Sequence, residues 1–208
     1  MKYMKYIIPI MILSLVLLSC AKKDDSSSSS STTTYATSTS GATASGTITI
    51  GSDTISGTYA SACVTSSDSS TPSDATYLGF VAVVTGDTSY TRELNHYTDS
   101  TCTATAFSLG WYFNNDNVSI GDASGSDYKT TYRQDNQTFM AKTTAADTYI
   151  TALWSAFSID FEVGTAKVLD TNTQMYNLIR VSDGKLYLGD ESSSAYPSAG
   201  GEMQYVKQ

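Results

Sequence analysis

The sequence predicts an all-β fold, which we expect to be an antiparallel β-barrel of about eight or nine strands with one short helix. Short segments in which apolar and polar residues alternate follow one another along the chain, and clusters of turn-forming residues separate them. The chain has 15 Tyr and only 15% charged residues, a composition that favours strands over a helical bundle. A β-sandwich is the alternative arrangement of the same strands.

The strands are predicted from a period of two residues, which places alternate side chains on opposite faces of a sheet. In Ser89–Tyr97, the even-numbered residues from Tyr90 to His96 share one face. The pair Asp183-Gly184 predicts a hairpin, because both positions of a tight turn need a positive φ. The other predicted strands are Thr47–Ile50, Thr54–Val64, Tyr77–Val84, Ala104–Phe113, Val118–Ile120, Lys129–Arg133, Met175–Val181, Lys185–Gly189 and Met203–Val206, with a turn at Asn114–Asn117.

One segment has the periodicity of a helix. From Thr144 to Phe157, apolar residues recur at the spacing of a single helix face. Thr144 followed three residues later by Asp147 is similar to a capping box, which starts a helix. We therefore expect a helix near residues 144–157 that packs on the sheet or covers an open end of it.

The first twenty residues have the pattern of a secretory signal. Lys2 and Lys5 place positive charge near the start of the chain. The apolar run Tyr6–Leu18 that follows them is too short for a permanent membrane-spanning helix. The small Ser19 followed by Cys20 resembles the lipobox of bacterial lipoproteins. That resemblance implies cleavage before Cys20 and a lipid on its side chain, which would anchor the protein to a membrane of the bacterial cell envelope.

Cleavage at this point divides the chain into a signal peptide (residues 1–19), a lipidated Cys with a Ser/Thr-rich tether (residues 20–45) and a β-barrel domain (residues 46–208). The tether is predicted to be disordered, because its small polar residues bury too little apolar area to offset the loss of conformational entropy. Ala21 after the Cys implies, by the same resemblance, the outer membrane. Loss of Lys2 and Lys5 moves the net charge from −8 to −10, so the mature protein would be repelled by anionic surfaces.

Three motifs follow one another in the predicted domain. Gly57–Tyr59 stands on an early strand where lipocalins carry Gly-x-Trp, with Tyr in place of Trp, and the segments Tyr97–Thr103 and Gly184–Asp190 come later. In this order, and together with the lipobox, they resemble uncharacterised bacterial lipoproteins with a lipocalin-like barrel over about residues 54–208. The resemblance implies a barrel with a ligand cavity and no defined substrate.

Cys63 and Cys102 are predicted to form a disulfide. If Cys20 is lipidated, they remain as an even pair in an oxidising compartment. A redox-active pair is disfavoured, because the chain has no Cys-x-x-Cys motif. The bond would close a loop of about 40 residues.

The aromatic residues of the predicted strands are the candidate ligand-binding side chains. An eight-stranded barrel has an interior just wide enough for side chains or for one small ligand. Two functions therefore stay open: an envelope lipoprotein whose barrel binds a small apolar ligand, and a non-catalytic structural or surface-interaction lipoprotein whose barrel is filled by side chains. The residues expected to line the barrel are Tyr59, Tyr90, Phe107, Trp111, Phe113 and Tyr187.

Composition and motifs argue against catalysis and against several kinds of partner. The chain has 20 acidic and 12 basic residues, whereas a nucleic-acid-binding protein needs clustered basic residues. One His and three Cys leave little material for a metal site, and Gly121–Asp127 lacks the ligand spacing of a calcium loop. A Ser-His-Asp hydrolase would have to use His96, which we expect at the surface or rim, and the Gly-x-Ser-x-Gly motif is missing. We expect no enzymatic activity, no metal and no cofactor. The expected partners are a membrane, through Cys20, and a small hydrophobic ligand.

Overall fold

The computed structural model describes residues 33–66 and 71–208, and these residues form eleven strands and one α-helix. The helix α1 spans Thr144–Leu153, and a short 3₁₀ turn at Ser155–Phe157 follows it. The strands are β1 (Ile48–Ile50), β2 (Asp53–Ile55), β3 (Thr58–Ala60), β4 (Val64–Thr65), β5 (Tyr77–Gly86), β6 (Ser89–Tyr97), β7 (Phe107–Ser124), β8 (Asp127–Ala141), β9 (Ala166–Ser182), β10 (Lys185–Leu188) and β11 (Gln204–Lys207).

Strands β3 to β11 form one antiparallel sheet that closes on itself. Its order is β3-β11-β10-β9-β8-β7-β6-β5-β4, and β3 pairs in addition with β5, through Thr58 opposite Val83 and Ala60 opposite Val81. The hydrogen bonds therefore run in a ring through eight strands, and the sheet is barrel-like. This confirms the predicted all-β fold and its approximate number of strands. Strands β1 and β2 form a separate hairpin, whose isoleucines pack into the interior of the sheet.

The three longest strands, β7, β8 and β9, extend well beyond their predicted limits. The predicted turn at Asn114–Asn117 is wrong, because β7 continues through it. Register shifts between Asn114 and Asn115 and between Asp116 and Ser119 mark bulges, and Asn117 has a φ of 53°. A bulge accommodates an extra residue and an unusual φ without ending the strand, so these turn-forming residues bend the strand instead of reversing it.

The hairpin between β9 and β10 forms at the predicted Asp-Gly pair. Asp183 has a φ of 51° and Gly184 a φ of 70°, and Ser182 lies opposite Lys185 across the turn. A turn with two positive φ angles matches the twist of antiparallel strands. It fixes the register in which Leu186 and its neighbours on β9 share the interior face.

Helix α1 forms where the periodicity predicts it, with a different cap. The cap is Thr143, whose Oγ1 accepts a hydrogen bond of 3.1 Å from the amide of Ala146. The predicted capping box of Thr144 and Asp147 is wrong, because Thr143 holds the cap position and Asp147 Oδ1 is buried without a hydrogen-bond partner among the described residues. Ala146 and Ile150 pack on one end of the sheet. Within the described residues, no helix is long and apolar enough to cross a membrane.

Residues 33–45, which we call the N-terminal segment, lie on the outer face of β5, β6 and β7. The amide of Ala36 donates to the carbonyl of Ser61 over 3.0 Å, and the amide of Ser45 donates to the carbonyl of Val84 over 2.9 Å. The packed unit therefore begins at Thr33. This differs from the expected start of the domain at residue 46 and from a tether disordered up to residue 45. The segment has few apolar side chains and is held by hydrogen bonds to the sheet, which its composition does not reveal. Cys20 and residues 1–32 lie outside the described residues.

The predicted disulfide joins Cys63 to Cys102, with 6.1 Å between their Cα atoms. It links the connection between β3 and β4 to the turn between β6 and β7. The carbonyl of Cys102 also accepts a hydrogen bond of 3.1 Å from the amide of Thr37. The disulfide thus lies at the point where the N-terminal segment meets the sheet.

Candidate functional site

The interior of the sheet, where a barrel would hold its ligand, is filled by side chains. The space left beside Val84, Ile179 and Leu186 has a volume of about 10 Å³. A cavity of this size holds one water molecule at most. The side chains of this interior cluster are Ile48, Ile50, Ile55, Tyr59, Ala82, Val84, Tyr90, Val118, Tyr132, Met175, Ile179, Leu186, Leu188 and Tyr205.

Four of the six aromatic residues expected to line the barrel lie on its inner face. Tyr59 and Tyr90 belong to the interior cluster. Arg92 and Leu94 are two and four residues after Tyr90 on β6, so they share its inner face. Phe113 lies opposite Arg92 and Trp111 opposite Leu94, so both rings lie on that face as well. Trp111 packs nearer to α1 than the other three.

The predictions for Phe107 and Tyr187 are wrong, because both rings lie on the outer face. A register shift between His96 and Tyr97 adds one residue to β7, and Phe107 then lies opposite Tyr97, under the N-terminal segment. One extra residue exchanges the two faces of a strand, and a period-two pattern does not reveal it. Tyr187 alternates with buried Leu186 and lies opposite Arg180, whose guanidinium is 4.1 Å from the ring centre.

A charged pair lies inside the sheet above the apolar cluster. Arg92 Nη2 lies 2.9 Å from Glu191 Oε2, and their side chains are only 19% and 9% exposed. The Tyr132 hydroxyl donates to Glu191 Oε1, and the Arg92 guanidinium lies 5.0 Å from the centre of the Phe113 ring. Glu191 comes from the connection between β10 and β11, so the pair joins this connection to β6.

The titratable groups around this pair keep their ordinary protonation states at neutral pH. Burial and the charge of Glu191 raise the pKa of the Tyr90 and Tyr132 hydroxyls, and burial raises that of Tyr205 to about 12. Burial lowers the pKa of Arg92, but the Glu191 carboxylate and the nearby tyrosines outweigh this and raise it. A general acid or base works best with a pKa near the working pH, which none of these four groups has.

Aromatic rings connect the charged pair to α1. Trp111 stacks on Phe113 with 5.3 Å between ring centres, and its other neighbour, Phe139, is 4.9 Å away. Phe139 in turn meets Trp154 at 5.4 Å, just after α1. Trp111 Nε1 donates to Gln137 Oε1 over 3.1 Å. This row of rings fills the part of the interior that α1 covers.

His96 is buried on the inner face, which corrects the expectation of a surface or rim position. Its exposed fraction is 5%, and burial lowers the pKa of its ring to about 4. Its Nδ1 has no hydrogen-bond partner among the described residues. A catalytic His needs a partner that orients its ring, so His96 is a neutral core residue here.

Glu93 forms a buried cluster on the outer face that the sequence analysis missed. Its side chain is fully buried, and Oε1 accepts hydrogen bonds of 2.6 Å from the hydroxyls of both Ser38 and Ser40. Oε2 accepts from the amide of Thr39 over 2.9 Å and from Asn95 Nδ2 over 2.8 Å. A carboxylate with four donors is well compensated for its loss of water. Glu93 therefore holds the N-terminal segment on β6.

A shallow groove runs beside the N-terminal segment across β7 and β8, with a volume of about 240 Å³. No charged side chain lines it. In the described parts of the chain, no three His, Cys, Asp or Glu side chains lie close enough together to hold a metal ion. The groove is lined by Thr39, Ser40, Gly41, Ala42, Tyr112, Asn114, Thr138, Met140 and Ala166.

Together these features define a class of protein: a disulfide-bonded antiparallel sheet, closed and barrel-like, with a filled interior and an N-terminal segment held on its outer face. No protein-family model matches this chain, and no curated protein has a significant match to it.

Proposed function

We propose that the chain is a lipid-anchored lipoprotein of the bacterial outer membrane, with a non-catalytic structural or interaction role. In this proposal Cys20 carries the anchor, the lipocalin-like domain holds no ligand in its interior, and partners contact its outer surface. The observation that favours this role over binding of a small apolar ligand is the 10 Å³ of space left in the interior cluster. Ligand pockets of proteins usually have volumes of about 300–1,000 Å³.

The charged pair strengthens the case against an apolar ligand. A ligand in the interior would have to displace packed side chains or lie against Arg92 and Glu191, which already satisfy each other. Opening this pair would leave a charge buried without its partner, at a cost of about 3–5 kcal/mol. The shifted pKa values of the surrounding tyrosines likewise support a structural cluster over a catalytic one.

The anchor is tested by labelling the full chain with radioactive palmitate in a bacterial host that processes lipoproteins. The chain should be labelled, and Cys20→Ala should abolish the label. Ser19→Ala is the matched control, because it keeps a small residue before the Cys and should retain the label. An unlabelled wild type, or equal labelling of Cys20→Ala, would contradict the proposed anchor.

The filled interior is tested with apolar probes and a variant that creates space. Leu186→Ala removes a fully buried side chain from the interior cluster, and a dry cavity of this kind binds small apolar molecules. Xenon should shift NMR resonances around residue 186 saturably in Leu186→Ala and leave the wild type unchanged. Cis-parinaric acid should show no saturable binding to the wild type. Stoichiometric binding of either probe to the wild type would restore the ligand-binding alternative.

A further inference from the structure

We propose that the segment after α1 docks on a zwitterionic lipid surface and fixes the orientation of the anchored domain. Leu153 is 49% exposed, Phe157 50% and Val163 48%. Leu153 directly precedes Trp154 in the chain, and the Phe157 ring lies 5.4 Å from the Trp154 ring, which also packs on Phe139. We call these residues the apolar tip. Docking rests on the proposed lipid anchor for bringing the tip near a membrane.

The composition of the tip fits insertion at the level of lipid headgroups. No charged residue occurs from Thr148 to Ile159, although the whole chain is acidic. Trp154, whose Nε1 is buried, packs behind the exposed Leu153 and Phe157, and exposed apolar side chains of this kind partition into a membrane interface. Isolated exposed apolar residues are ordinary, but Leu153 and Phe157 lie together beside Trp154 and form a patch.

The charges around the tip select the kind of lipid. No Lys or Arg lies between Lys142 and Lys167, whereas the exposed Asp160 and Glu162 lie beside the tip. Anionic lipids attract clustered basic residues and repel acidic ones. The tip therefore fits lipids of zero net charge, and its binding should weaken as anionic lipid is added.

The fold places the tip at the end of the sheet where the described chain begins. The carbonyl of Thr34 accepts from the amide of Cys63 over 2.8 Å, next to the turn that follows β6. Thr143, the cap of α1, contacts Ser108 at the start of β7, with 3.1 Å between the two hydroxyl oxygens. Antiparallel pairing puts the end of β6 beside the start of β7, so both features lie at one end.

The length of chain before Thr33 is compatible with simultaneous anchoring and docking. Even fully extended, the chain from Cys20 to Thr33 spans at most about 45 Å. A lipid on Cys20 would therefore keep this end of the domain within reach of the bilayer. One tether lets the domain rotate, and a second contact at the tip would set one orientation.

The depth of Trp154 in lipid tests the proposal on the full lipidated chain. The chain has two Trp, so the Trp111→Phe variant reports on Trp154 alone and Trp154→Phe on Trp111 alone. In phosphatidylcholine vesicles that contain brominated acyl chains, Trp154 emission should be quenched and Trp111 emission should not. Equal emission of Trp154 with and without bromine, in chains that float with the vesicles, would overturn docking and leave the anchor intact.

The chain from residue 20 onwards with Cys20→Ser, which lacks both the apolar signal segment and the anchoring thiol, measures docking separately. Leu153→Ser and Phe157→Ser should each weaken the partition of this chain into phosphatidylcholine vesicles about fivefold. Each substitution removes an apolar side chain whose exposed half would be covered by lipid. The control is Tyr196→Ser in the connection between β10 and β11, beside Lys129 near the start of β8, and it should change nothing. Stronger partition with added phosphatidylglycerol would overturn the proposal. So would a dimer, detected by sedimentation, that the two tip variants dissociate while vesicles bind neither form. Absence of palmitate label with normal partition would instead refute the anchor alone.

Discussion

Replacing Glu93 with Gln should loosen the N-terminal segment and lower the stability of the domain. The Glu93 carboxylate is fully buried and accepts four hydrogen bonds, with lengths of 2.6, 2.6, 2.8 and 2.9 Å. The variant keeps the shape of the side chain but removes its charge. The side-chain amide nitrogen that Glu93→Gln introduces can face only Ser38 and Ser40, because their hydroxyls can rotate to accept a hydrogen bond. The backbone amide of Thr39 can only donate.

The expected loss follows from the difference between charged and neutral hydrogen bonds. A hydrogen bond to a charged group contributes about 1.5–3 kcal/mol and a neutral one about 0.5–1.5, so each of the four bonds weakens by about 1 kcal/mol. Relief from burying a charge offsets part of this sum. We expect Glu93→Gln to lower the free energy of unfolding by about 2–4 kcal/mol.

Urea unfolding and hydrogen exchange measure the two parts of this effect. Glu202→Gln is the control, because it changes the net charge equally at an exposed position, and it should shift the free energy by less than about 0.5 kcal/mol. The amide of Thr39 should exchange faster in Glu93→Gln than in the control. If the two variants were equally stable and Thr39 equally protected, the proposed role of Glu93 would be refuted.

Three other predictions concern the disulfide, His96 and the charged pair. Reducing the Cys63–Cys102 bond, or replacing both Cys with Ala, should lower the free energy of urea unfolding by about 4 kcal/mol, and equal midpoints with and without dithiothreitol would contradict this. The pKa of His96 is lowered to about 4 in the folded state, so its contribution to stability is complete above about pH 6.5. It falls by roughly 3 kcal/mol as the pH drops towards 4, because only the unfolded chain then takes up the proton. His96→Gln should lack this part of the pH dependence, and parallel curves of unfolding free energy against pH would refute it. Arg92→Met should lower the free energy of unfolding by about 3–5 kcal/mol, because it leaves the Glu191 charge buried alone. Adding Glu191→Gln should recover part of that loss, and an additive double variant would show that the two side chains do not interact.

The sequence predicted those parts of the fold that depend on local chemistry. The Asp183-Gly184 turn, the helix near residues 144–157 and the alternation along β6 follow from backbone preferences and periodicity, which a single segment carries. The pairing of Cys63 with Cys102 followed from counting cysteines. None of these needed knowledge of which strands are neighbours.

The parts that the sequence did not reveal depend on contacts between distant segments. Phe107 was assigned to the wrong face because the register shift beside His96 is visible only when β6 and β7 are paired. Residues 33–45 read as disordered because their order comes from Glu93 and the sheet, about 50 residues away along the chain. His96 was expected at the rim because its burial depends on what packs over β6. The filled interior depends on the volumes of side chains from ten strands together, which no periodicity reports.

Closure of the sheet imposes an order on biosynthesis. Tyr59 of β3 pairs with Lys207 of β11, and the ring is incomplete until that pair forms. The ribosome makes β3 long before β11, so β3 must wait until the strands from β4 to β10 have been made. Long-range pairing of this kind folds slowly. The closed sheet therefore forms only after β11 has been synthesised, and a chain that lacks β11 would be left with two unpaired strand edges.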